Sequence, residues 1–381
     1  MLYQMDHQTA KEKTKTRFEK IVDGNADIHN ANLLVHSDSR DIHWNLAHGE
    51  SGGRQTTPDQ PYHAASVGKT FTSTIIGMLV DTGEISFDDP ISLYLPDDLL
   101  DGLHVYRGDE YTEDIRIHHL LSHTSGLPHL LSDEFGLINR QKEQSPDGKT
   151  FLDIQLEDPD RFWTPEETIE WAKENLQAHF PPGEGIFYSE IGYNLLGLII
   201  DSVTGISYPE ALHEYLFDPL GMDQTYLSQY TEPAVASEHP VSNFHWEDAE
   251  FEIEQYRSFS GWYAGGQVVS TTEDLLTFHQ ALVEGELVTE ETLDAMTEWQ
   301  KLSLGLDYGY GLVRFRPLPL LSKYHIWGGI GATSSYMFYC PGIDTYLIGT
   351  FNQTSCRSKA FRFLFRVLRT VSKVDAPIKT V

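Results

Sequence analysis

The chain has 381 residues, 40% hydrophobic and 12% aromatic, enough for two folded domains or one domain with a large insertion. Fifty-seven acidic against 27 basic side chains give a formal net charge of -30, which argues against partners held by their phosphates: nucleic acid and an anionic lipid surface. Two cysteines, Cys340 and Cys356, cannot make a disulfide framework and are expected to be reduced core thiols.

In chain order, residues 8–22 read as a first helix, with strand-like stretches at 31–37 and 43–47 and a glycine-rich turn at 49–53. No signal-length apolar stretch opens the chain and no run approaches 18 apolar residues, so a cytoplasmic protein is expected. From Ser66 the apolar residues recur at helical spacing until Thr82-Gly83. Helices are predicted at 115–123, at 165–178 behind the Thr164-Pro165 cap, and at 193–203. The acidic stretch 129–162 reads as irregular, an insertion or lid. Further on, 326–331 is glycine-rich, 334–339 and 345–351 read as strands joined by a 340–344 hairpin loop, and 358–371 as a closing helix. The first 23 residues hold five bases against four acids and the last 26 hold seven against one, so the acidic excess lies between two basic terminal helices, which are expected to lie on the acidic body.

Strand signals at both ends with helices between predict an α/β plus all-α protein. Residues 1–65 and 255–381 would form an antiparallel sheet flanked by the terminal helices. Residues 66–254 would form an inserted, mainly helical domain, with the active site at the junction.

The sharpest local signal is Ser66-Val67-Gly68-Lys69 at the head of a helix. Positions i and i+3 share a face, so the hydroxyl and the ammonium would sit together. A serine needs a neighbour to take its proton, and backbone N–H groups at a helix start can hold an oxyanion. On its own the tetrad also reads as a capping serine with a surface lysine. A phosphate loop is excluded at Gly68-Lys69-Thr70 and at Gly148-Lys149-Thr150, because His63 and Glu143 stand where its first glycine is required.

Three later segments support the chemical reading: Ser122-His123-Thr124-Ser125-Gly126-Leu127-Pro128, Tyr188-Ser189-Glu190 and His325-Ile326-Trp327-Gly328-Gly329. With Ser-x-x-Lys, and with Gly265-Gly266 before Ser270-Thr271-Thr272, their order from about residue 20 to 370 resembles the serine β-lactamase-like hydrolases: class C β-lactamases, DD-peptidases, D-aminopeptidases and family VIII carboxylesterases. The resemblance implies a β-lactamase/transpeptidase-like fold, Ser66 as the acylated nucleophile, and Lys69 and Tyr188 as the groups that move protons. It implies no cofactor and no metal.

Two departures bear on the substrate. The family's asparagine after Tyr-x is Glu190, which as a carboxylate only accepts hydrogen bonds; it would pair with Lys69 or receive a substrate ammonium. The family's Lys-x-Gly or His-x-Gly triplet falls on Ile326-Trp327-Gly328, with His325 one position early, so the cation is either re-aimed by a bulge or missing. Glu190, His325, Trp327, Gly328 and Gly329 are thus the expected substrate-binding residues, with the backbone N–H of Gly329 or Gly328 as second oxyanion donor. His119 and His123 have zinc spacing but lack the intervening glutamate, so metal binding is not expected. Asp274 reads as a first-turn acid of a capped helix. The expected activity is hydrolysis of small-molecule carboxylic esters, with D-amino-acid amides or peptides and then β-lactams as alternatives. A non-catalytic receptor for acyl compounds is the alternative of another class.

Overall fold

The computed structural model describes residues 4–130, 144–317 and 321–374. The first helix, His7–Asp23, starts where Asp6 accepts the Thr9 N–H at 2.8 Å and stops at Gly24. Its buried residues Ala10, Thr14, Phe18 and Val22 recur every four positions, one stripe facing one surface. That surface is a nine-stranded antiparallel sheet. From one edge its strands run Gln300–Ser303, Leu306–Tyr308, Val313–Phe315, Ile326–Ile330, Tyr336–Cys340, Thr345–Thr350, Asn30–Ser37, Ile42–Ser51 and Arg54–Gln55. The strand Asn30–Ser37 is buried on both faces: Leu33 and Val35 face the terminal helices, Leu34 the opposite core.

The last helix, Arg357–Val371, lies beside the first. Ala360, Phe363, Leu364, Val367, Leu368 and Val371 are buried, and Phe363 stacks on Phe18 at 5.9 Å. The basic terminal helices therefore reach the body through apolar stripes. On the sheet's other face the larger core is built by the helices Gly68–Asp81, Glu190–Thr204 and Thr272–Val283 with the segments around them. Gly68–Asp81 is buried nearly all round, and its polar residues Thr70, Thr72, Ser73 and Thr74 are hydrogen-bonded inside the protein. No single helix among the described residues is long and apolar enough to cross a membrane.

The sequence expectations hold for both terminal helices and for the sheet centre, and shift elsewhere. Glu190–Thr204 starts three residues earlier than periodicity suggested, because Ser189 caps it by accepting the Gly192 N–H at 3.2 Å. The helix expected at 115–123 is the short Ile117–Leu121, and the one from Pro165 ends at Asn175 because Leu176 is extended. Part of the supposed irregular stretch is the helix Phe151–Glu157, closed by a Thr150–Asp153 capping box, with Phe151 buried against Trp163 and Trp171. Residues 131–143 of that stretch lie outside the described residues. Cys340 and Cys356 are free, buried and separately engaged: Cys340 Sγ donates to Lys323 O, and Cys356 Sγ accepts from Asn25 Nδ2. Burial pushes the Cys340 thiol up to about 12, which keeps it protonated and inert.

Candidate active site

Ala65 has φ 50°, a left-handed conformation that strains a residue with a side chain. It opens the 3-10 turn Ala65–Val67 at the head of the helix Gly68–Asp81. Ser66 in this turn is partly exposed, while Tyr62–Ala65 and Val67 are buried.

One turn along, Lys69 is 1% exposed. Its Nζ lies 3.4 Å from Ser66 Oγ and 2.9 Å from Glu190 Oε1, and it also donates to the Gly265 carbonyl. All three partners accept, which occupies the three hydrogens of an ammonium. The same ammonium stands over the rings of Tyr188 and Tyr193, 4.7 and 5.2 Å from their centroids. Gly265 is required for space: a Cβ there would meet Glu190 Cγ at 3.0 Å and Lys69 Nζ at 3.3 Å.

Glu190, the first residue of its helix, is 4% exposed and shared between two partners. Oε1 takes Lys69, and Oε2 faces Nδ1 of His129. Burial raises its carboxyl, but His129 and Lys69 together outweigh burial and hold it well below the usual carboxylate range. Glu190 is therefore an anion with both oxygens engaged. Of the two roles left open for it, the pairing with Lys69 is the one seen. His129 carried no sequence signal of its own, since it opened the stretch read as a lid.

Tyr188 lies two residues before Glu190, partly exposed, with its ring edge-on to His129 at 5.3 Å and 4.2 Å from that of His123. His123, at φ 60°, accepts the Ser189 N–H on Nδ1 at 3.2 Å, leaving Nε2–H for the Tyr308 hydroxyl at 2.9 Å. Burial, then the Lys69 charge, lowers its pKa far enough to keep the ring neutral. His119 accepts the Arg116 N–H at 3.1 Å and so caps its own helix. The two histidines are thus engaged apart from one another. Asp274 accepts from the Gln224 N–H and the Thr225 hydroxyl, fastening a loop to its helix.

The third motif is rearranged. His325 ends a 3-10 turn, Ser322–Tyr324, ahead of the strand Ile326–Ile330. Trp327 packs on His279 and Tyr339 in the main core. Gly328, at φ 148°, admits no Cβ, which would fall 1.9 Å from Met337 O. Gly329 abuts the nucleophile's helix: a Cβ there would meet Thr70 Oγ1 at 3.0 Å and Val67 Cγ1 at 3.1 Å. None of the four lines the pocket at Ser66. The strand pairing sets the direction of the N–H groups along this segment. Gly331 donates to Ser335 O, so strand alternation turns the N–H of Gly329 into the same ladder and that of Ile330 to the opposite edge. On that edge the pairing with Val313–Phe315 has already ended at Gly328.

The pocket beside Ser66 is lined by Phe244, Trp246, Trp262, His63, Ala332 and Thr333, and by Glu190. His63 gives Nε2–H to Gly266 O at 2.8 Å, and burial lowers it to about 4, so it is neutral at pH 7. The aromatic wall comes from the hairpin Phe244–Phe251 and the turn Arg257–Trp262, which carried no motif in the sequence.

Comparison with known proteins agrees with this geometry. The Beta-lactamase family matches residues 18–368. Penicillin-binding protein 4* of Bacillus subtilis (strain 168) is 26% identical over 323 residues, 80% of this chain but 64% of that protein. A D-stereospecific amidohydrolase from Streptomyces sp. superposes with a TM-score of 0.71 at 26% identity, covering 92% of this chain and 95% of the other. The D-amino acid amidase of Ochrobactrum anthropi SV3, at 22% identity, shares the fold with a TM-score of 0.74 over 96% and 98% of the two chains.

Proposed function

The chain belongs to the Beta-lactamase family, and from that premise we propose a serine hydrolase that forms an acyl-enzyme on Ser66 and acts on carboxylic esters with an uncharged, apolar acyl group. One observation carries the substrate class: the pocket at Ser66 is walled by Phe244, Trp246 and Trp262, and its described lining holds no cation for a substrate carboxylate. Lys69, the nearby ammonium, is already taken by Glu190 and Gly265 O.

Ser66 Oγ attacks the ester carbonyl, its proton passing to the phenolate oxygen of Tyr188. The carbonyl electron pair moves onto oxygen, held by the N–H of Ser66 and that of Ile330, on the open edge of its strand. Tyr188 then returns the proton to the alcohol as the C–O bond breaks. Water repeats the sequence on the acyl-enzyme. Lys69, beside the Tyr188 ring, favours the phenolate from which each proton transfer starts.

A second reading, hydrolysis of D-amino-acid amides, is favoured by Glu190 in the pocket lining and by the 26% identity to the Streptomyces amidohydrolase. Intact-mass spectrometry of wild type and Ser66→Ala, exposed to a fluorophosphonate, p-nitrophenyl butyrate, D-phenylalanine amide and a penicillin, separates the readings. A single adduct lost in the variant, with ester turnover, is the expected result. Amide turnover without ester turnover transfers the assignment to the amidase, and stable penicillin acylation to the penicillin-binding proteins. No adduct on folded protein leaves the non-catalytic receptor.

A further inference from the structure

We propose that Glu190 and His129 are positioning residues that set the pH at which Ser66 becomes nucleophilic: Glu190 neutralises the Lys69 ammonium, and His129 holds Glu190 in place. The proposal rests on the serine-hydrolase reading above and deepens it. A lone ammonium against Ser66 and over the Tyr188 ring would favour a deprotonated base at low pH. A carboxylate 2.9 Å from that ammonium cancels most of this effect. The base then becomes available only at higher pH.

The geometry shows a built arrangement rather than a chance contact. Lys69, Glu190 and His129 are 1%, 4% and 5% exposed, and they come from three separate segments of the chain. A buried carboxylate is tolerated only when its oxygens are met, and here each oxygen has its own cationic or N–H partner. A carboxylate accepts only, so Nδ1 of His129 carries a hydrogen toward it. Lys69 faces the carboxylate from the nucleophile's helix, and His123 and His129 from the segment Ser122–Leu130. Tyr188 and Tyr193 face the Lys69 ammonium from the segment that carries Glu190, and Tyr308 feels the Glu190 charge from the strand Leu306–Tyr308. His123 is kept neutral and Tyr193 and Tyr308 are kept protonated by burial, so the charge at this point is set by Lys69, Glu190 and His129.

The test is the rate of fluorophosphonate labelling of Ser66, read by intact mass between pH 5 and 10, for wild type, Glu190→Gln and Glu190→Asp. In Glu190→Gln the rising limb moves to lower pH by about one unit or more, because no anion opposes a deprotonated base. Glu190→Asp keeps the charge, so its limb stays with wild type while the rate falls about tenfold from the shorter reach. His129→Ala slows labelling about tenfold, and His129→Asn, which again offers an N–H, restores it. A limb that stays put or moves upward in folded Glu190→Gln overturns the proposal, and so does wild-type labelling in His129→Ala. The latter holds even where Glu190→Gln does not fold. Failure of the wild type itself to label overturns the serine-hydrolase reading instead.

Discussion

At the residue scale, the site depends on contacts a single atom can break. Gly265 gives its carbonyl to Lys69 and leaves no room for a side chain, so Gly265→Ala must push Glu190 or Lys69 aside. Labelling of Ser66 in that variant is expected to fall at least about tenfold, since an ångström of misplacement is costly in a preorganised site. Circular dichroism should show the fold kept; a wild-type labelling rate would mean the Lys69–Gly265 contact is idle. Trp262 is a wall of the pocket beside Ser66. Trp262→Ala should lower kcat/KM about tenfold for p-nitrophenyl hexanoate, with little change for the acetate, because only the longer chain reaches the lost surface. Equal losses on both esters would place the acyl group elsewhere.

At the element scale, the helix Thr272–Val283 presses His279 onto the sheet against Trp327 and Tyr346. Neither ring nitrogen has a hydrogen-bond partner, and burial lowers the imidazole to about 3. Two polar atoms are thus buried with nothing in return. His279→Leu should stabilise the protein by about 1 kcal/mol in urea unfolding, with Ser66 labelling unchanged; a loss of stability would show that the ring's shape outweighs its unmet nitrogens. The same strand, Ile326–Ile330, shows why the direction of its N–H groups was not legible in the sequence. Whether a backbone N–H joins a ladder or points into an open edge depends on where the neighbouring strand stops, and Val313–Phe315 stops opposite Gly328.

At the scale of the whole molecule, acid is expected to weaken the fold early. His63 and His119 are lowered to about 4 and His279 to about 3, all mainly by burial. Below the ordinary value near 6.5 the unfolded chain binds protons that the folded chain refuses, so stability is complete above that pH and declines as pH falls toward 4. For His63 alone the loss is on the order of 3 kcal/mol. Urea unfolding at pH 7, 5.5 and 4.5 should trace the decline, and a flat profile over that range would contradict it. Glu190 adds a further loss at lower pH: its folded carboxyl is held below the usual value, so its contribution is present above about 4.5 and lost on acidification. The net charge of -30 predicts that Tm rises by several degrees between 0.05 and 1 M NaCl, as screening relieves self-repulsion. A Tm indifferent to salt would mean the acids are already spread far enough apart.

The sequence by itself determined what depends on local order. The stripe Ala10, Thr14, Phe18, Val22 and the one ending at Val371 marked both terminal helices. The strand-like stretches 31–37 and 345–351 marked two strands, and the one-turn spacing of Ser66 and Lys69 marked a candidate site. The tertiary structure alone decided which distant groups meet. His129 reaches Glu190 across some sixty residues of chain, Gly265 O closes over Lys69 from still further, and the aromatic wall rises from a hairpin without a motif. Those contacts arise from packing between elements. A buried charge takes whichever partner the fold brings within reach, and periodicity along the chain carries no record of that distance.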